Sequence, residues 1–176
     1  MNLQVFPMNE ILTPPASPVL LPEDIGPHIA KMVEEVFGTM LNLKAEPARS
    51  TESPPAHERI SGSIGLAGER VIGAIYLHLT DPLARLATSA MLGLPVEELG
   101  AGTEINDVVG EMTNMMAGGF KSTLCDIGAV CAMSTPAIIR GQAFEIKVAP
   151  DVSQLTYPFT CQGHHFSIEI HLKITS

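Results

Sequence analysis

Apolar positions along the chain recur with two periods, and the switch between them marks the elements. Ile25, Ile29, Met32, Val33, Val36, Phe37, Met40 and Leu41 repeat every three or four residues, which predicts an amphipathic helix. Asp24 stands where a cap belongs, Pro27 is tolerated in a first turn, and the helix is expected to end near Leu43. The proline-bearing stretch from Glu46 to Ala56 reads as a loop. Arg59 to Leu66 and Arg70 to Thr80 read as two strands joined around Ala67-Gly68-Glu69. The second carries Val71, Ile72, Ile75, Tyr76, Leu77 and Leu79, apolar on both faces. That predicts a central strand, covered on both sides or covered once and paired in an interface. Asp81-Pro82 reads as a helix start, with Asp as cap and Pro in the first helical position, and Gly93 as a fitting stop. Pro95 to Leu99 adds a short turn. Gly100 to Thr103 then breaks the chain before a longer helix, from Glu104 to about Asp126.

The remainder has the period of strands. Ala129 to Met133 and Ala137 to Ile139 flank a turn at Ser134-Thr135-Pro136, and Ala143 to Val148 reads as another strand. Gln154 to Gln162 and His165 to Thr175 read as a hairpin around Gly163. In its second arm Phe166, Ile168, Ile170, Leu172 and Ile174 alternate with His165, Ser167, Glu169, His171 and Lys173, which predicts one buried face and one wet one. The expected fold is α+β, about three main helices packed on a largely antiparallel sheet. Residues 1–22 carry five prolines and read as an N-terminal extension, leaving 23–176 as the domain.

The long helix carries the candidate chemistry. Ile105, Val108, Val109, Met112, Met115, Met116 and Phe120 form its apolar face. Glu111 and Asn114 lie on the other face, three residues apart, so their Cβ atoms are neighbours at roughly 5–6 Å. An Asn carboxamide both donates and accepts, and so can orient a water molecule without ionising. A carboxylate beside it can hold a partner's Lys or Arg. Such a pair is a poor set for attacking a stable ester, but it suits a labile acyl phosphate that brings its own metal ion. Such spacing is common by chance, and taken alone it favours a plain solvated helix face. Gly118-Gly119 come next, each costing a helix interior about 0.5–1 kcal/mol against Ala. That cost implies close packing, within the domain or against a partner.

Composition narrows the classes. With 45% hydrophobic residues, nine Met and no Trp, the chain can build an aliphatic, Met-rich core. A net charge of −9 without a Lys/Arg cluster argues against nucleic acid and against an anionic membrane surface. Three cysteines, Cys125, Cys131 and Cys161, without CxxC spacing read as reduced and structural, in a cytoplasmic protein. No apolar run has the length of a membrane span. His165 and His171 share a strand face but stand roughly 20 Å apart, too far to bind one metal ion. Glu104 and Asp107 suit the positive end of the helix dipole. Ser122 and Ser134 lack an evident His partner for a nucleophilic triad. Gly62, Gly65 and Gly68 do not precede a helix, so they do not form a phosphate loop.

The segment from Gly110 to Gly118 (GEMTNMMAG) resembles the active-site helix of the CheX type within the CheC/CheX/FliY phosphatases of bacterial chemotaxis. Thr135-Pro136-Ala137-Ile138-Ile139-Arg140-Gly141 is similar to that family's sequence downstream of the helix, and element order agrees from about Asp24 to Thr175. The resemblance implies a CheC/CheX-like fold and hydrolysis of the phospho-aspartate of a CheY-like receiver domain. By the same resemblance Asn114 orients the attacking water and Glu111 pairs with the receiver's active-site Lys. The receiver supplies the phosphoryl group and its Mg2+, so the chain needs no cofactor or metal of its own. CheC-type members carry two ExxN helices; this sequence has one, at Glu111/Asn114, which favours the CheX type and a homodimer joined by its sheets. A module that binds a receiver or another chemotaxis protein without catalysis is the alternative, and a metal-dependent small-molecule enzyme the more distant one.

Overall fold

The computed structural model describes residues 22–49, 58–100, 102–142 and 144–175. In chain order these form α1 (Pro22–Glu35), β1 (Ala45–Pro47), β2 (Arg59–Ala67), β3 (Val71–Thr80), α2 (Asp81–Leu92), α3 (Thr103–Asp126), β4 (Ala132–Met133), β5 (Ala137–Gly141), β6 (Ser153–Cys161) and β7 (His164–Ile174). The α+β reading holds: three helices pack on one seven-stranded antiparallel sheet. Strand order is β1-β6-β7-β3-β2, and β4 and β5 both pair with the far side of β2. The stretch 1–21 and residues 50–57 lie outside the described residues.

The strand alternation sorts side chains to the two faces. Val71, Ile75, Leu77 and Leu79 of β3 and Phe166, Ile168, Ile170 and Leu172 of β7 are buried in the main core. α1 adds Ile25, Ile29, Met32 and Val33 to that core. Phe37, fully buried, stacks on Phe166 with ring centroids 4.6 Å apart. Burial of one such side chain stabilises by about 1.5–3 kcal/mol. β6 and β7 turn through Gln162 (φ 51°) and Gly163 (φ 78°), two positive φ values in succession that match the twist of a two-residue hairpin.

Several boundaries differ from the sequence expectation. α1 begins at Pro22, so Asp24 falls inside its first turn rather than capping it. The helix then widens into a π-helical turn, Val36–Met40. Ala45–Pro47, expected near or within a loop, pairs with Phe159–Cys161. In α2 the cap position is Thr80, and Asp81 instead accepts a 2.9 Å hydrogen bond from Arg85 Nε. Gly93 ends that helix with φ 67°, as expected. β3 is central, as expected; outward-facing Ile72 is exposed in the single chain, so of the two expected arrangements full cover on both sides does not occur among the described residues of one chain.

The expected strand at 143–148 is corrected: Phe144–Ala149 have no regular structure. Their alternation is genuine, but no backbone ladder forms, and the Phe144 side chain packs on neighbouring side chains instead. The Phe144 ring lies 6.3 Å from that of His78, the Arg59 guanidinium sits 3.9 Å from the Phe144 ring centroid, and Arg59 Nη2 donates to Phe144 O at 2.6 Å.

The wet face expected for β7 is also corrected. His171 and, across the ladder, His78 and Ser61 are buried. His78 Nε2 lies 2.8 Å from Glu169 Oε2, and His171 Nε2 lies 2.7 Å from Glu169 Oε1. An ionised carboxylate only accepts, so each Nε2 carries the hydrogen. Ser61 Oγ completes the chain, 2.6 Å from His78 Nδ1, and Gln154 Nε2 donates to Glu169. Burial by itself would raise the Glu169 carboxyl; the hydrogen bonds from His78, His171 and Gln154 overcome it and hold the pKa at about 2.

Candidate active site

α3 lies against β2, and the side chains between them are small where the two come closest. Thr113 is fully buried, its hydroxyl donating to Val109 O at 2.6 Å. It faces Gly62 so closely that a Cβ there would stand 1.9 Å from Thr113 Oγ1 and 2.9 Å from Thr113 Cβ. Buried Ile105, Val108, Val109, Met112, Met116, Ala117, Phe120 and Leu124 secure the rest of the inner face. Met115 is half-buried.

The outer face carries the predicted pair. Glu111 is exposed and Asn114 half-buried, and neither makes a hydrogen bond or ion pair among the described residues. Asn106 is spoken for: Arg140 Nε donates to its Oδ1 at 2.8 Å, and Arg140 Nη2 to Gly102 O at 3.3 Å. This clamp ties the start of α3 to β5. Glu104, in the first turn of α3, accepts from Gly100 N at 3.0 Å, which gives it a role in holding the turn before the helix.

A wall rises beside the pair. β4 and β5 are two pieces of one edge, both antiparallel to β2, interrupted at Ser134-Thr135-Pro136. The sequence reads this as a turn between strands; in the structure it is a protrusion from an edge. Ser134 N donates to Gly65 O at 3.0 Å, and Gly65 N donates to Ser134 Oγ at 2.9 Å. Between the protrusion and α3 lies an open cleft of about 570 Å3, reached by Asp107, Gly110, Glu111, Asn114, Thr135 and Pro136. On the other side of Glu111, Met91, Leu92 and Val108 border a shallower depression of about 380 Å3. Glu111 is therefore shared by two concavities, and Asn114 opens to one.

The structure thus brings together Glu111, Asn114 and the Thr135-Pro136 segment. It leaves Ser122 and the histidines of β7 elsewhere. Two supporting positions escape the sequence reading. Gly62 enters it only as part of a rejected phosphate loop, although a glycine inside a strand is itself a signal of close backbone approach. Arg140 carries no local signal for its bond to Asn106.

The three cysteines are free, with Cys131 and Cys161 buried. Burial raises both of those thiols, which fits a structural role. No described helix is long and apolar enough to cross a membrane.

The family model described as chemotaxis phosphatase CheX matches residues 60–160. Among solved structures, the chain is similar to the chemotaxis protein CheX from Vibrio vulnificus, with 29% identity and a TM-score of 0.72, over 88% of this chain and 100% of that one. A CheC-like superfamily protein from a Shewanella species is 29% identical with a TM-score of 0.68, over 84% of this chain and 96% of that one. The CheX chain of a CheX-CheY-BeF3-Mg2+ complex from Borrelia burgdorferi shares the fold, with 22% identity and a TM-score of 0.63, over 84% of this chain and 96% of that one. Among curated proteins, none matches the chain significantly.

Proposed function

The chain belongs to the CheX family of chemotaxis phosphatases, and on that footing we propose that it hydrolyses the phospho-aspartate of a CheY-like receiver domain. The observation that carries this reading is the pairing of Glu111 with Asn114 on one rigid helix, both without partners among the described residues and both bordering an open cleft.

An aspartyl phosphate is an acyl phosphate, so its leaving carboxylate is already a good one. Hydrolysis then needs a water molecule held in line with the P–O bond that breaks. The Asn114 carboxamide has an oxygen to accept a hydrogen from that water and an N–H to donate to a phosphoryl oxygen. The water oxygen bonds to phosphorus, the bond to the aspartyl oxygen breaks, and the products are inorganic phosphate and a free carboxylate. Glu111 pairs with the receiver's active-site lysine and so sets the docking register. In this reading the magnesium ion comes with the receiver and not from the chain. The similar Borrelia structure holds CheX together with CheY, BeF3 and Mg2+, which supports the choice of partner. A cytoplasmic homodimer joined through its sheets belongs to the same proposal.

The test is phosphoryl decay on CheY-like receivers from the same genome, with magnesium, using wild type and Asn114→Ala. Wild type should accelerate decay and the variant should lose about 100-fold or more of that acceleration, the scale of losing a transition-state hydrogen bond. Affinity for a phosphorylated receiver without faster decay would instead identify a binding module.

A further inference from the structure

Glycine inside a helix costs about 1 kcal/mol against Ala, so its presence calls for a reason. A positive φ is one reason, and a neighbour in the same molecule that leaves no room for Cβ is another. α3 contains Gly110, Gly118 and Gly119, none with positive φ. Gly119 has its neighbour: a Cβ would meet Met32 Cγ at 3.3 Å and Met32 Sδ at 3.4 Å. Gly110 is buried under the cleft wall, where a Cβ would reach Pro136 Cβ at 3.7 Å and Ile138 Cδ1 at 3.8 Å. Gly118 has none among the described residues, where a Cβ would meet nothing within 4 Å. Neither backbone geometry nor packing among the described residues asks for glycine at 118.

Its place on the helix supplies the reason. Position 118 is four residues after Asn114 and seven after Glu111, on the same stripe. Side chains on a helix lean toward its N-terminus, so a residue covers the turn before its own Cα. Anything larger at 118 would lean over Asn114. The carboxamide of Asn114 ends only two carbons from the backbone. It can reach a reacting group on another protein only if that protein comes nearly to the helix backbone. Ala117, three residues after Asn114, is buried and raises nothing in the way.

Resting on the receiver-phosphatase reading, we infer that Gly118 is a specificity-determining contact: the phosphorylated receiver lies directly on the α3 backbone there, leaving the space above Asn114 open for its phosphoryl group. The occupant is the receiver, since the bare position continues the Glu111/Asn114 stripe and has no packing neighbour for a Cβ among the described residues.

The experiment uses the full chain with Gly118→Ala and Gly118→Gln, and a CheY-like receiver from the same genome. Binding is measured to the receiver loaded with beryllofluoride and magnesium, and turnover is followed against receiver concentration. Both variants should fold with a Tm equal to or above wild type, because the new side chain meets open space and favours helix. KM and Kd should rise with side-chain size, a few-fold for Ala and at least tenfold for Gln. If Gly118→Gln binds and turns over as wild type does, the inference is overturned while the phosphatase reading stands. If wild type binds without accelerating decay, catalysis is refuted and the contact is still decided by the binding of the two variants. If wild type neither binds nor dephosphorylates any of the receivers, both are overturned.

Discussion

Gly62 on β2 and Thr113 on α3 meet so closely that a Cβ on the glycine would stand 1.9 Å from the threonine hydroxyl oxygen. Thr113 is the residue before Asn114. The glycine therefore sets how near the helix lies to the sheet just where the candidate carboxamide is mounted.

Gly62→Ala is expected to destabilise by about 1–3 kcal/mol, the range for overpacking a core, and to lower the proposed receiver dephosphorylation by displacing α3. Thr113→Ala on that background removes Oγ1 but leaves Cβ, which is still 2.9 Å from the added methyl, so it should recover only part of the loss. Urea unfolding of the two single variants and the double variant supplies the cycle. Additive losses would show that the two residues do not press on each other.

Arg140→Ala should loosen the start of α3. It removes the hydrogen bonds to Asn106 Oδ1 and Gly102 O, together about 1–3 kcal/mol. Hydrogen exchange should quicken in the first turns of α3 with little change at Phe120 to Leu124. Uniform quickening along the helix would mean that Arg140 supports global stability instead.

Glu111→Gln keeps the size of the side chain and removes its charge. If Glu111 pairs with a receiver lysine as proposed, docking should weaken about tenfold, or 1.4 kcal/mol, seen in KM more than in kcat. The residual affinity should also depend less on salt, because one attractive exposed charge is gone. An unchanged KM and salt slope would remove Glu111 from the interface.

Glu169 gives stability a defined pH dependence. Its carboxyl is held at about 2 in the fold, against 4.5 for the free group. The folded state binds the proton less readily than the unfolded one. Its contribution is therefore complete above about pH 4.5 and is lost as pH falls from there toward 2. At 1.36 kcal/mol per unit, the contribution is about 3 kcal/mol. Glu169→Gln should flatten the fall in unfolding free energy across that window and lower stability at pH 7. An equally steep acid limb in the variant would assign the effect to other carboxylates.

Much of this architecture is written locally. The Ile105-to-Phe120 stripe is enough to place Glu111 and Asn114 on the outer face of one helix, because helix periodicity depends only on neighbours within two turns. Gly93 as a helix stop and the turn at Gln162-Gly163 are equally local, each a matter of backbone angles. Local pattern misleads where packing overrides it. Phe144 to Val148 alternates as a strand does, and nothing within the segment reveals that the Phe144 ring packs against His78 and Arg59 while the backbone joins no ladder.

The cross-chain relationships come from register and packing alone. Glu169 looks solvent-facing by alternation, yet the pairing of β3 with β7 sets the His78 imidazole against it, beside that of His171 on its own strand, and the pairing of Ser61 with His78 places a hydroxyl on the far nitrogen of His78. The Thr135-Pro136 wall stands beside Asn114 because β4 and β5 share one edge of β2 and the residues between them are squeezed outward. Periodicity along the chain decides which side of an element a residue occupies. Only the assembled sheet and helix decide what stands opposite it, because that partner is brought there by pairings between segments far apart in sequence.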